Sequence, residues 1–349
     1  MVSIFEVIVP IGVLVLVVGL AYIAIVPSNT ANLGSLSDNP QAKEGLQKYY
    51  THSNEHSASL SLGKTYYRLL GPEDGKRILL VHGISGANMP ISLEAQVNLF
   101  RIGTWSTAPH VVDSLVEKGL RVLAFDIYGR GRSDSPGVQY NFETYTNQIQ
   151  ELMKHVGWDV ATLVGYSMGG AIAIAFADNY PQGVERLVVI APGGIQQQAS
   201  PLLAIFHVPI FGSLLYYALG RWYIVREIRK SIQPFPDGSR MGWNGHGEIV
   251  SVLYNPGFLR AYRSTFMNNV IAGNEDTFKS VGQRFNHKVL CIWGSKDTGC
   301  DYATDGKVFQ ACMPEARFVT VEGGDHDVVI IDWKSVLEPL CLFLEESGE

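Results

Sequence analysis

Charge is scarce in this chain. Asp, Glu, Lys and Arg make up 17% of its 349 residues, against roughly 25% in an average soluble protein. There are 27 Lys and Arg against 33 Asp and Glu, so the net charge is −6. Binding to nucleic acid calls for an excess of basic residues, and we therefore expect no nucleic-acid partner. Hydrophobic residues amount to 46%, which excludes an intrinsically disordered chain.

Cysteine is scarce as well, and its spacing is uninformative. The four cysteines, Cys291, Cys300, Cys312 and Cys341, are not arranged in any metal-ligand spacing. So few cysteines in a chain of this length exclude a disulfide-stapled scaffold. We predict no metal site.

Basic residues are absent from the N-terminus, where no Lys or Arg precedes Lys43. Residues 7–26 are uncharged and apolar, and twenty residues at 1.5 Å each reach about 30 Å, the thickness of a bilayer core. We therefore predict a transmembrane signal-anchor within residues 1–27. The alternative, a cleaved signal peptide, would carry a basic segment before the apolar one.

The N-terminal prediction makes the protein single-pass, in the endoplasmic reticulum, another endomembrane or the plasma membrane. Glu6 on one side of the segment and Lys43 and Lys48 on the other favour a cytoplasmic catalytic side. Residues 28–56 are rich in Ser, Asn and Gly and are predicted to be a linker.

Short apolar runs alternate with helical stretches after residue 57, which predicts an α/β fold. A hairpin is expected around Gly63, followed by strands near 77–81, 120–125, 160–164, 186–190, 288–293 and 316–321. The runs lack strict alternation, which is typical of parallel strands buried on both faces. Helices are expected near 107–118, 142–155, 168–179, 303–311 and 328–345. The sheet is therefore mostly parallel and wrapped by helices.

Residues 193–282 interrupt this alternation and predict a cap inserted between two core segments, 57–192 and 283–349. Residues 201–220 are nearly all apolar, which fits a buried helix pair, a lipid-facing lid or a second membrane span. Trp222, Val225, Ile228 and Ile232 then recur at helical spacing with Arg221, Arg226, Arg229 and Lys230 largely on other faces. Such a helix could rest on anionic lipid headgroups or simply present a solvated cationic face.

The segment Gly165-Tyr166-Ser167-Met168-Gly169 carries the chemistry. It matches G-x-S-x-G directly after a predicted strand and before a predicted helix, a context that exposes a nucleophilic serine on a sharp turn. A glycine-rich strand-to-helix turn without catalytic meaning is the alternative. The dipole of the following helix favours developing negative charge.

A serine nucleophile needs a base and an orienting acid. His326 follows the strand at 316–321 and Asp297 follows the strand at 288–293, so both fall at the sheet edge where Ser167 is expected. Asp301 or Asp327 could replace Asp297 as the orienting acid. His82, at the end of another strand, is expected to be structural.

With these motifs the chain resembles the α/β-hydrolase superfamily from about residue 57 to 345. Four landmarks occur in the expected order: VHGIS at 81–85, FDIYGRGRSD at 125–134, GYSMGG at 165–170, and the pair WGSKD and GGDHD around Asp297 and His326. The resemblance implies Ser167 as nucleophile, His326 as general base and then acid, and Asp297 as its orienting carboxylate. It implies an oxyanion hole from the backbone N–H groups of Ile84 and Met168, and no cofactor.

Within the superfamily, the predicted anchor and apolar cap resemble the monoacylglycerol-lipase-like branch. We therefore expect hydrolysis of a lipid ester, and membrane contact through residues 7–26 and the cap. Epoxide hydrolases and dehalogenases are disfavoured because they use Asp where this chain has Ser167. A carbon–carbon bond hydrolase, a small-ester or amide hydrolase and a non-catalytic ligand-binding receptor remain alternatives. Oligomeric state is not predicted.

Overall fold

The computed structural model describes residues 4–27, 30–49, 54–84, 109–195, 210–234 and 239–346. Within these ranges, only the backbone is described for residues 4–12, 14, 46, 48, 49, 109, 240–244 and 286. Residues 201–209 of the apolar cap segment lie outside the described residues.

The described strands form one eight-stranded sheet in the order β1-β2-β4-β3-β5-β6-β7-β8. Only β1–β2 and β2–β4 pair antiparallel, and the other neighbours are parallel. The strands are β1 (Glu55–Leu60), β2 (Gly63–Leu70), β3 (Arg77–Val81), β4 (Arg121–Phe125), β5 (Ala161–Tyr166), β6 (Val184–Ile190), β7 (Val289–Gly294) and β8 (Arg317–Val321). All predicted strands are present, with ends shifted by at most two residues.

Helices cover the sheet and continue into the segment between β6 and β7. They are α1 (Ile4–Ile25), α2 (Lys43–Tyr49), α3 (Pro109–Glu117), α4 (Phe142–His155), α5 (Met168–Asn179), α6 (Phe211–Ile232), α7 (Arg240–Tyr254), α8 (Phe258–Met267), α9 (Glu275–Phe285), α10 (Asp305–Cys312) and α11 (Trp333–Glu345). Helix α4 begins where the Asn141 side chain accepts a hydrogen bond of 2.9 Å from Thr144 N–H, a standard N-cap. Helix α11 begins five residues later than expected because residues 327–332 form hydrogen-bonded turns instead.

Two large hydrophobic clusters form most of the core of the described residues. The first surrounds the sheet, where every residue of β5 and β7 is buried. The second joins α6, α7 and α8 through side chains such as Ile228, Val252 and Phe258. Helix α9, although it precedes β7, packs on α5 and contributes Phe278 and Val281 to the first cluster. The division into core and cap therefore stays a prediction. Its second boundary, between residues 282 and 283, falls inside α9.

Residues 30–42, expected to be part of a linker, pack on the body of the protein instead. Leu36 and Ala42 are fully buried, with Val250 and Tyr254 of α7 against them. The Asn39 side-chain amide donates a hydrogen bond of 2.8 Å to the Tyr254 carbonyl. Polar composition alone did not reveal this because only two apolar side chains anchor the segment.

The N-terminal segment forms helix α1, which contacts α6. In the part of the chain that the structure describes, no helix is long and apolar enough to span a bilayer. The expectation of a transmembrane helix over residues 7–26 is therefore not supported.

Candidate active site

Ser167 stands on a strained turn between β5 and α5. Its backbone has φ 55° and ψ −123°, a conformation that a residue with a side chain adopts at a cost of about 1–3 kcal/mol. The flanking glycines make the turn possible. A Cβ on Gly165 would lie 2.3 Å from the Gly169 carbonyl oxygen, and a Cβ on Gly169 would lie 2.1 Å from the Val81 carbonyl oxygen. The predicted elbow is therefore present, held by contacts that exclude any larger residue.

Ser167, His326 and Asp297 form one hydrogen-bonded chain. The Ser167 Oγ lies 3.0 Å from the His326 Nε2, and the His326 Nδ1 lies 2.8 Å from the Asp297 Oδ2. All three side chains are buried, with 8%, 4% and 2% of their surface exposed. They follow β5, β8 and β7 respectively, so the parallel strands bring them to one edge of the sheet.

The geometry decides which carboxylate orients the histidine. Asp297 accepts two backbone N–H bonds through Oδ1, from Gly299 at 2.8 Å and Cys300 at 2.9 Å. Its Oδ2 also accepts a bond of 3.2 Å from the Trp293 indole N–H. Asp301, an alternative from sequence, instead accepts bonds from Ala303 N–H and Thr304 Oγ1–H at the start of α10.

Charge around His326 favours its protonated form. Burial alone would lower the pKa of the imidazole, but the charge and hydrogen bond of Asp297, with the charges of Asp325 and Asp327, outweigh it. The pKa of His326 is therefore raised above its ordinary value. A base with a raised pKa accepts the serine proton more readily.

Tyr166, next to the serine, is a site residue that sequence reasoning missed. Its hydroxyl donates a hydrogen bond of 2.6 Å to the His326 carbonyl oxygen, and the two rings lie 5.4 Å apart. The only sequence signal for it is an aromatic residue at the second position of G-x-S-x-G. Tyr166 ties the loop that carries the base to the strand that carries the nucleophile.

The loop after β3 lies directly beside the serine, since a Cβ on Gly83 would be 3.2 Å from the Ser167 Cβ. His82 fixes this loop. Its Nε2 accepts a hydrogen bond of 3.0 Å from Ile127 N–H, so the proton is on Nδ1, which donates 2.7 Å to the Gly83 carbonyl. Burial, and secondarily the charge of Arg130, lowers the pKa of His82 to about 4. His82 is therefore a neutral residue that braces the loop.

Two predicted oxyanion donors are backbone N–H groups on segments beside the serine. Met168 is the first residue of α5, and the first N–H groups of a helix have no acceptor within it. Ile84 follows the Gly83 turn and is half-buried. Both predicted oxyanion donors therefore lie on segments adjacent to Ser167.

Among the described residues, Cys300 is the only cysteine near the site, and it does not compete with Ser167 as a nucleophile. The Cys300 Sγ lies 3.8 Å from where a Gly193 Cβ would be. Burial first, then the charge of Asp297, raises the pKa of this thiol well above its ordinary value, which keeps it protonated. In the same described part of the chain, no group of His, Cys, Asp and Glu side chains could hold a metal ion.

Comparison with known proteins agrees with this architecture. The family model described as alpha/beta hydrolase fold matches residues 76–332. An uncharacterized protein of Mycobacterium tuberculosis is 29% identical over 144 residues, 41% of this chain and 36% of that protein. A proline iminopeptidase of Saccharolobus solfataricus is 28% identical, covering 49% and 50% of the two chains. A 2-hydroxy-6-oxononadienedioate/2-hydroxy-6-oxononatrienedioate hydrolase of Paraburkholderia phymatum is 30% identical, covering 55% and 66%. The matches thus span about a third to two thirds of these relatives.

Solved structures share the fold at low sequence identity. A bromoperoxidase from Bacillus anthracis superposes with a TM-score of 0.64 and 20% identity, over 84% of this chain and all of that one. A carboxylesterase from Nitrososphaera gargenis superposes with a TM-score of 0.63 and 19% identity, over 83% and 97% of the two chains. These likenesses concern the fold alone.

Proposed function

The chain belongs to the alpha/beta hydrolase family, and from that premise we propose that it hydrolyses carboxylic esters through an acyl-enzyme on Ser167. The observation that carries the proposal is the continuous chain from Ser167 Oγ through His326 to Asp297, with bonds of 3.0 and 2.8 Å. A buried serine on a strained elbow, hydrogen-bonded to an oriented base, is the arrangement that activates a hydroxyl as a nucleophile.

The proposed reaction has two halves. The His326 Nε2 takes the Ser167 proton while Oγ attacks the ester carbonyl carbon, and the proton then passes to the leaving alcohol as the tetrahedral intermediate collapses. In the second half, His326 takes a proton from water as its oxygen attacks the acyl-enzyme carbonyl; the intermediate then breaks its bond to Ser167 Oγ, His326 returns the proton to Oγ, and the carboxylic acid leaves. Asp297 stabilises the imidazolium in both halves without itself being protonated. The N–H groups of Ile84 and Met168 would bind the oxyanion.

We propose further that the substrate is a lipid ester of the monoacylglycerol kind, met at a membrane surface. The support is one exposed stripe of α6, where Phe211, Leu215, Leu219 and Trp222 have 47–65% of their surface exposed. Isolated exposed apolar side chains are common, but a row of four on one helix marks an interaction surface.

Charge on the same stripe fits a lipid headgroup region. One turn past Trp222, Arg226 lies with its guanidinium 5.6 Å from the indole ring, and Arg229 and Lys230 follow, all exposed. Arg226 and Lys230 both contact Glu227, so three cations and one carboxylate leave the stripe positive. Arg221, which the sequence grouped with them, instead donates to backbone carbonyls at the end of α7. Aromatic and then cationic residues suit the interface of an anionic bilayer.

Helix α1 extends this surface. It contacts α6 and exposes Leu16, Leu20 and Ile23, each with more than half of its surface exposed. We name Phe211, Leu215, Leu219 and Trp222, together with these three α1 residues, the apolar face. The proposed location is thus a membrane surface.

A second candidate, hydrolysis of a carbon–carbon or amide bond, is favoured by the relatives. One is named a proline iminopeptidase and another a hydrolase of 2-hydroxy-6-oxo dienedioates, and the same triad serves both reactions. The hydrogen-bonded triad argues against a non-catalytic receptor.

Substrate profiling of the purified full chain tests the proposal. We expect labelling by a fluorophosphonate probe, lost in Ser167→Ala, and turnover of monoacylglycerols of medium and long acyl chains. Turnover of prolyl anilides or of 2-hydroxy-6-oxo dienoates without any ester turnover would transfer the assignment to the second candidate. A folded wild type that reacts with neither probe nor substrate would remove the catalytic assignment altogether.

A further inference from the structure

Arg130 is a fully buried cation on the turn after β4. Its Nε–H donates a hydrogen bond of 2.7 Å to the carbonyl of Ile84, and one Nη1–H donates 3.1 Å to the carbonyl of Gly129. Among the residues that the structure describes, no carboxylate lies within ion-pair distance of it, and its Nη2 has no hydrogen-bond partner. Burying a charge is costly, so its position calls for a reason beyond packing.

The surroundings of Arg130 are apolar on the side away from the loop. The guanidinium lies 5.4 Å from the Phe258 ring centre and 5.8 Å from that of Tyr262, both on α8. These rings belong to the second hydrophobic cluster, against which Ile84 also packs. Water is therefore kept from the cation, and a charge acts over a longer distance in such surroundings than in water.

Two buried side chains hold the two carbonyls of the loop beside Ser167. The carbonyl of Gly83 accepts from His82, and the carbonyl of Ile84 accepts from Arg130. With both carbonyls held, the Ile84 N–H keeps one direction relative to the nucleophile. The effect of the charge reaches the same loop, since it lowers the pKa of His82.

We propose that Arg130 is a positioning residue of the oxyanion hole: it fixes Ile84 through its carbonyl, and its buried positive charge stabilises the oxyanion that forms beside that loop. The inference rests on the proposed function, because an oxyanion arises only if Ser167 attacks a carbonyl group. A neutral ester gains charge on its oxygen in the transition state and not before. Arg130 therefore acts on kcat and on binding of anionic tetrahedral adducts, and little on KM.

The test compares Arg130→Met with wild type on an ester and on a trifluoromethyl ketone, which forms an anionic tetrahedral adduct with the serine. We expect kcat to fall by about 10- to 100-fold, KM to change less than about threefold, and the Ki of the ketone to rise by the same factor as kcat falls. Guanidinium chloride at millimolar concentration should restore part of kcat in Arg130→Ala. Arg130→Gln, neutral and of similar length, replaces the Met variant if that variant does not fold.

Arg260→Met is the matched control. Arg260 is also a buried arginine that donates to backbone carbonyls, at 2.7 Å to Ala31 and 2.9 Å to Pro136, but none of them belongs to the loop at 82–84. We expect Arg260→Met to lower Tm. We expect the Ki of the ketone to rise in this variant by no larger a factor than KM does. If the Ki of the ketone rises no more in the Arg130 variant than in Arg260→Met, the inference about Arg130 is wrong. The proposed esterase function is unaffected by that result as long as the wild type hydrolyses the ester. An inactive wild type overturns both.

Discussion

The hydroxyl of Tyr166 donates a 2.6 Å hydrogen bond to the backbone carbonyl of His326, across 160 residues of sequence. The residue before the nucleophile thereby holds the loop that presents the base. Ser167 and His326 are thus positioned relative to each other by a direct bond between their own segments, in addition to the 3.0 Å bond between their side chains.

Tyr166→Phe should separate this positioning from packing. The change keeps the ring and removes the hydroxyl, leaving a buried carbonyl unsatisfied at a cost of about 1–3 kcal/mol in unfolding free energy. We expect kcat to fall roughly tenfold because the base is less precisely placed. Tyr180→Phe is the control, since its hydroxyl bonds to the Asn147 side chain at 2.7 Å, away from the site. Equal kcat values in the two variants would contradict the role of Tyr166.

Replacing Asp297 should cost far more activity than replacing Asp301. Asp297→Asn keeps the shape but removes the charge that orients and stabilises the imidazolium, and we expect kcat to fall on the order of 10⁴-fold. Asp301→Asn should leave kcat within about twofold of wild type, since its carboxylate bonds only to the start of α10 and not to the catalytic residues. The measurement is steady-state hydrolysis of one ester by both variants. If kcat falls strongly in Asp301→Asn and not in Asp297→Asn, Asp301 and not Asp297 orients the imidazole.

Activity should depend on pH through His326. Its raised pKa means that the imidazole is protonated, and unable to accept the serine proton, up to a pH above the ordinary histidine value of 6.5. kcat/KM should therefore rise with pH through that raised pKa and then level off. Asp325→Asn removes one of the charges that raise the pKa of His326, so the rising limb should move to lower pH. A limb unmoved by this change would show that the charge of Asp325 does not reach the imidazole.

Binding to vesicles should depend on the apolar face. We expect the full chain to bind phosphatidylcholine vesicles more strongly when phosphatidylserine is included, and less strongly as salt is added. The double variant Leu215→Ser with Leu219→Ser should lower partitioning by on the order of tenfold or more. Leu342→Ser is the control, because Leu342 is 55% exposed on α11, outside the apolar face. Equal vesicle binding by wild type, the double variant and the control would contradict a lipid-binding role for the apolar face. So would a wild type that forms a dimer through this face without binding vesicles, and a double variant that is monomeric.

Much of the fold could be read from short-range patterns. The strands were predictable because doubly buried strands are short apolar runs, and the turn at Ser167 because glycine occupies both positions where a Cβ would collide with backbone atoms. Chain order placed Ser167, Asp297 and His326 after β5, β7 and β8, parallel strands whose carboxyl ends share one edge. In helix α6, the helical spacing grouped Trp222 with Val225, Ile228 and Ile232, but Trp222 is exposed whereas the other three are buried.

What the sequence determined by itself is therefore the set of strands, the elbow, and Ser167 and His326 of the triad, since each depends on neighbours within a few positions. The tertiary structure alone decided that Asp297 and not Asp301 faces His326, that residues 36–42 pack on α7, and that Arg130 bonds to Ile84. Each of these contacts joins segments 29 to 215 residues apart, and such pairs meet only when the order of strands in the sheet brings them together. Local propensity carries no information about that order, which depends on how the buried faces of strands and helices pack.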